Sequence, residues 1–89
     1  MKIGDVIKET KYLIFQVTKE KAKTVEVSVI NRNGKYVIAT IEWYPHWRQY
    51  VFIPTPEFDT VWNNTCLNSV ISVLNELMEN HVKTKPKGE

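Results

Sequence analysis

Seven consecutive residues, Thr24 to Ile30, alternate without a break: Val25, Val27 and Val29 on one side, Thr24, Glu26 and Ser28 on the other. A period of two, carried by β-branched residues, predicts a strand with one buried face. It runs straight into Asn31-Arg32-Asn33-Gly34-Lys35, the strongest turn signal in the chain. A β-hairpin is therefore the element around which the rest must be arranged. Two registers compete. A two-residue Asn33-Gly34 turn pairs Val29 with Ile38 and Val27 with Thr40, setting the valine face against Glu42. A type I turn over Asn31 to Gly34, with Gly34 left-handed in a bulge, pairs Val29 with Val37, Val27 with Ala39 and Val25 with Ile41. The second puts apolar on apolar at every step and is the expected one, because a one-residue slip exchanges the faces.

The same alternation extends the sheet in both directions. Lys11 to Thr18 puts Leu13, Phe15 and Val17 on one face and Tyr12, Ile14 and Gln16 on the other. Tyr36 to Tyr44 follows the turn, and Trp47 to Pro54 follows Pro45-His46. A two-residue loop there pairs Trp43 with Arg48, Ile41 with Tyr50 and Ala39 with Phe52; a bulge would instead bring Val51 and Ile53 inward. Pro54-Thr55-Pro56 ends the strand, since proline donates nothing to a ladder. Ile3, Val6 and Ile7 fit either one turn of helix or a ragged first strand.

Asn63 or Asn64 can cap a helix running to about His81. Leu67, Val70, Ile71, Leu74, Leu77 and Met78 form one helical stripe, with Asn68, Ser72, Asn75, Glu76 and Glu79 opposite. Eighteen helical residues span about 27 Å, the length of an eight-residue strand. The predicted class is thus α+β: a four-stranded antiparallel β-meander packed against one C-terminal α-helix. Residues 1–82 are expected to form a single domain and 83–89 a disordered basic tail.

Composition bounds the rest. With 89 residues there is room for one core, which buries about 60–65% of the unfolded surface. A single cysteine, Cys66, precludes an internal disulfide and fits a reducing, cytoplasmic setting. The apolar runs are far too short to span a membrane, and the first residues lack a signal-peptide core. Asn63-Asn64-Thr65 matches a glycosylation sequon, which without a secretory signal carries no weight. The formal net charge of +2 resides in residues 83–89, three lysines against one glutamate, leaving nine basic and nine acidic groups elsewhere. A neutral body gives no general argument for nucleic-acid binding.

The segment Trp43-Tyr44-Pro45-His46-Trp47-Arg48-Gln49-Tyr50-Val51-Phe52-Ile53-Pro54 resembles a signature of small uncharacterised bacteriophage and mobile-element proteins. In these a W-Y-x-x-W-R-x-Y-x-F-x-P hairpin precedes a Cys-Leu pair opening an amphipathic helix, matched here by Cys66-Leu67. The resemblance covers roughly residues 31–77, with Ala39 departing where glycine is expected. It implies a mobile-element origin and no activity. The overall plan also resembles a family of single-strand-binding transcriptional coactivators that dimerise through their helix, an analogy of architecture alone.

Five aromatics, Trp43, Tyr44, Trp47, Tyr50 and Phe52, surround Arg48 within ten residues. The Trp43, Tyr50 and Phe52 face reads as core, with Arg48 over Trp43 as a cation–π lid. Tyr44 and Trp47 flank the turn, where a single helix cannot bury both, so Tyr44, His46, Trp47 and Arg48 are the candidate binding residues. Lys11, Lys19, Lys21, Lys23 and Arg32 are the candidate basic rim for single-stranded nucleic acid, although an ordinary solvated loop with Glu20 interspersed is the more expected reading. His81 fits a helix C-terminus better than a metal site, and Cys66 a small core position better than a reactive thiol. No phosphate loop, zinc spacing or nucleophile–base pair is present, so a non-enzymatic protein without cofactor or metal is expected. The expected partner is a protein, with nucleic acid as the alternative. The sheet face bearing Ile14, Ile38, Val51 and Ile53 leaves homodimerisation open.

Overall fold

The hairpin forms with a different turn, and the predicted faces hold except at Val37 and Ile38, which exchange sides. In the computed structural model, which describes residues 1–84, β1 (Val6–Glu9), β2 (Leu13–Glu20), β3 (Val25–Asn31), β4 (Val37–Tyr44) and β5 (Gln49–Pro54) precede α1 (Asn64–Thr84). The strands form one antiparallel sheet in the order β1-β2-β3-β4-β5. The meander therefore has five strands rather than four. The extra one is the N-terminal segment, whose Val6 pairs with Gln16 and Lys8 with Phe15 across a bulge. Its short, bulged pattern hid it, because the bulge breaks the period of two.

Between β3 and β4 the pairs are Val27 with Ile41 and Val29 with Ala39, two residues away from the expected register. Apolar still meets apolar, because a shift of two preserves the face. The loop spans residues 32–35, and its left-handed residue is Lys35 at φ 59°, not Gly34. Asn31 organises it: its side-chain Oδ1 accepts the Asn33 and Gly34 N–H groups, and its carbonyl accepts the Lys35 N–H. Gly34 is required for a different reason, since the Tyr36 ring lies where a Cβ would stand. A lysine held in the left-handed region carries steric strain that glycine lacks. Lys35→Gly should therefore stabilise the domain by about 0.5–1 kcal/mol in urea unfolding.

The β4–β5 loop is likewise longer than expected. Trp43 pairs with Tyr50, Ile41 with Phe52 and Ala39 with Pro54, so the loop comprises residues 45–48 instead of Pro45-His46 alone. Arg48 closes it at φ 52°, in the left-handed region, and no peptide bond among the described residues is cis. Trp47 thus lies in the loop rather than in the strand. The inward set Trp43, Tyr50 and Phe52 is unchanged, again because the shift is two.

Asn63 caps α1: its Oδ1 accepts the Cys66 N–H at 2.8 Å and its carbonyl the Leu67 N–H. The buried stripe is turned from the predicted one. Val70, Val73 and Leu77 are buried, with Cys66, Leu74 and Met78 packed beside them, whereas Leu67 and Ile71 are exposed. They join Leu13, Phe15, Val17, Val27, Val29, Ile38, Ala39, Ile41 and Tyr50 in one core. Ile38, expected on the outer face, is turned inward by the bulge between Val29 and Ile30 on the β3–β4 pair. The helix packs on β5 and also reaches β1. Edge strands of a flat five-stranded sheet would lie about 19 Å apart, so the sheet curls around its helix. The helix continues to Thr84, three residues beyond the expected end, and residues 85–89 of the expected tail lie outside the described residues.

Candidate functional site

The two ends of the sheet differ in character. At one end, the β2–β3 loop, the β4–β5 loop and the C-terminal part of α1 come together. Here His81 Nδ1 lies 3.3 Å from the Lys23 carbonyl oxygen, and its ring packs 4.4 Å from that of Trp43. His81 thus occupies the place over Trp43 that was expected of Arg48. Trp43 also meets Tyr50 edge-to-face at 5.4 Å, and the buried Tyr50 hydroxyl accepts the Val25 N–H. Burial pushes the Tyr50 phenol above its usual range, against the opposing effect of that hydrogen bond.

Tyr44, His46, Trp47 and Arg48 project from the loop beyond this core, and all four are exposed. Tyr44 stands at the centre, with the Trp47 ring edge-to-face at 5.0 Å and the His46 ring at 5.3 Å. Trp47 is 65% exposed, which in a chain this small leaves a large apolar ring in water. All four predicted residues are thus brought together on one tip.

The predicted basic rim is not. Lys19, Lys21 and Lys23 share the tip's end, but Lys11 and Arg32 lie at the other, a strand length away. Lys19 pairs with Glu26 at 3.7 Å, and Arg32 with Glu9 at 3.4 Å while donating to the Thr10 carbonyl. Lys11 lies over the Tyr12 ring.

On the outer face, Glu26 and Glu42 stand one residue beyond the Val27–Ile41 pair and lie close enough to interact. Partial burial raises the Glu42 carboxyl above its ordinary 4.5, the Glu26 charge and a hydrogen bond to Glu26 raise it further, and Lys21 and Thr40 oppose them. Like charges opposed on a sheet are destabilising. A carboxyl whose folded pKa is raised penalises folding above that pKa, and the penalty vanishes as pH falls toward 4.5. Glu42→Gln should therefore raise the unfolding midpoint at pH 7 and lose that advantage near pH 4, as thermal melts across this range would register. Among the described residues no cluster of three or more metal-ligating side chains occurs, and no helix is long and apolar enough to cross a membrane.

The chain is 34% identical over 74 residues to an uncharacterised 9.3 kDa protein of Acholeplasma phage L2, an alignment covering 82% of this chain and 92% of the relative. The chain belongs to that phage protein's family. The resemblance to small phage proteins noted on the Trp43–Pro54 segment is thereby shown, and the relative's description assigns no activity. No protein-family model and no solved structure matches the chain.

The opposite end of this phage-family fold holds a feature that sequence reasoning missed. A cleft of about 830 Å³ opens between the β1–β2 and β3–β4 turns and the 59–63 segment leading into α1. Tyr12, Tyr36, Val61 and Trp62 supply apolar surface, and Asp59 and Lys11 supply charge. Phe58 stacks on Tyr36 at 4.9 Å and Trp62 meets Phe52 edge-to-face at 5.0 Å, which holds the segment against the sheet. These residues are scattered over fifty positions, and no spacing rule would have grouped them.

Proposed function

We propose that this phage-family protein is a small non-enzymatic binding or regulatory protein that docks a protein partner through Tyr44, His46, Trp47 and Arg48. The reading rests on one observation: Trp47 stands 65% exposed in an aromatic cluster while its sheet neighbours Trp43 and Tyr50 pack inward. Aromatic and arginine side chains on a protruding, structured loop are the residue types that dominate protein interfaces. It acts without cofactor, in the cytoplasm of the phage's host, where a free Cys66 stays reduced.

Single-stranded nucleic acid is the second reading, supported by Lys21 and Lys23 at the same end as the aromatic tip. Glu20, Glu26 and Glu42 at that end count against it. Capture from host lysate at two salt concentrations, beside mobility shifts with single- and double-stranded oligonucleotides, separates the two. A protein partner should survive added salt and be lost with Trp47→Ala, at a cost of about 2 kcal/mol or more. A salt-sensitive oligonucleotide shift weakened by Lys21→Glu would favour nucleic acid instead. A Trp47→Ala chain that no longer folds would remove the tip from both readings.

A further inference from the structure

We propose that Met78 is a redox modification site: hydroperoxides oxidise its thioether from one side only, and the resulting sulfoxide uncaps the β5 border of the sheet. The proposal does not rest on what the tip binds.

Met78 is one of two methionines in the chain and lies half-buried on α1, packed beside the core. Its Sδ accepts the Tyr50 N–H at 3.4 Å. Tyr50 pairs with Trp43 on β4, so this N–H belongs to the open border of the last strand. Such a group ordinarily turns to water; here the helix that packs on β5 supplies its acceptor. Tyr50 itself is only 7% exposed, so the bond sits where a lost partner is costly.

A thioether sulfur carries two lone pairs, and oxygen added to one or the other gives one or the other sulfoxide epimer. The lone pair toward Tyr50 is occupied by the N–H and backed by the strand. The other is turned away from β5 and is the one a peroxide can meet. There the sulfur attacks the terminal oxygen of a hydroperoxide: an S–O bond forms and the O–O bond breaks. The sulfur gives up two electrons, and the peroxide leaves as the alcohol, or as water from hydrogen peroxide, with the proton. The new oxygen stands on the side away from Tyr50 and cannot replace the sulfur as its acceptor. The remaining lone pair belongs to a sulfur now positively polarised, which accepts poorly. The Tyr50 N–H is thus released, and a polar group enters a packed apolar contact between α1 and β5.

The full-length chain treated with dilute hydrogen peroxide carries its own comparison, since Met1 is 41% exposed and outside the core. Two families of methionine sulfoxide reductase each revert one epimer, and mass spectrometry of the digest counts what each leaves. One of them should revert about nine-tenths of the Met78 sulfoxide and the other about one-tenth. Met1 sulfoxide, and Met78 sulfoxide made in urea, should divide about evenly. Hydrogen exchange followed by NMR should show the Tyr50 amide exchanging at least about fivefold faster after oxidation, as the loss of one ordinary hydrogen bond implies. In Met78→Leu, which conserves volume, peroxide should leave that exchange unchanged. An even epimer ratio in the folded chain, a Met78 oxidised only in urea, or a Tyr50 amide indifferent to oxidation would overturn the site. So would peroxide acceleration that persists in Met78→Leu. The epimer ratio needs no variant, so it decides the matter even if Met78→Leu fails to fold.

Discussion

Phe15→Ala should remove about half of the domain's stability, the largest effect expected of any single truncation. Phe15 is fully buried at the middle of the sheet, where it faces Val29 on one neighbouring strand and Lys8 on the other. Removing a buried phenylalanine side chain costs about 3–5 kcal/mol, the transfer energy plus the cavity left behind. A chain of this size has about 5–10 kcal/mol of stability in all. The β2–β3 pair cannot collapse into the gap without dragging β1, which is held by a short bulged ladder and by the Gly4 N–H to Val17 carbonyl bond at 2.8 Å. Urea titration followed by far-ultraviolet circular dichroism should show the midpoint lowered by half or more. A loss below about 1 kcal/mol would mean that Phe15 is not at the centre of the core.

The second large effect distinguishes two faces of α1. Val73 is 1% exposed and Ile71 52% exposed, although the hydrophobic spacing selected Ile71 and passed over Val73. Val73→Asp buries a carboxylate in an apolar core, and should cost more than about 3 kcal/mol. Ile71→Asp places the same charge in water and should change stability by less than about 0.5 kcal/mol. Measured side by side, equal losses would contradict the orientation of the helix. Reversed losses would restore the stripe that the sequence suggests.

That stripe shows where sequence reasoning stops. Leu67 and Ile71 are the more hydrophobic pair, yet the helix turns Cys66, Ser69 and Val73 toward the sheet because these smaller side chains allow close approach. Ser69 is buried there with its hydroxyl donated to the Thr65 carbonyl at 3.1 Å. The strands were easier to read, since their faces depend on parity alone. Both β-turns proved two residues away from the expected pairing, and the only exchange of sides is at the β3–β4 bulge, where Ile38 enters the core and Val37, expected inward, is exposed. Turn length was not legible, because the left-handed positions went to Lys35 and Arg48 rather than to a glycine. The tip residues were legible because they are contiguous in the chain. The cleft was not, as it is assembled from three separated segments.

One contact bears on how such a domain engages anything else. The Tyr50 N–H points away from β4 and is taken up by Met78 Sδ at 3.4 Å, and Pro54, two pairs of residues further along β5, has no N–H to offer. Phe52 is then the strand's remaining outward donor. On the opposite side the sheet ends in four residues interrupted by a bulge. Neither border offers the repeated donor–acceptor ladder on which an incoming strand could zip. Were this fold to bind a partner, as proposed, the contact would run through side chains and loops, and substitutions on those surfaces would leave the hydrogen-bonded frame untouched.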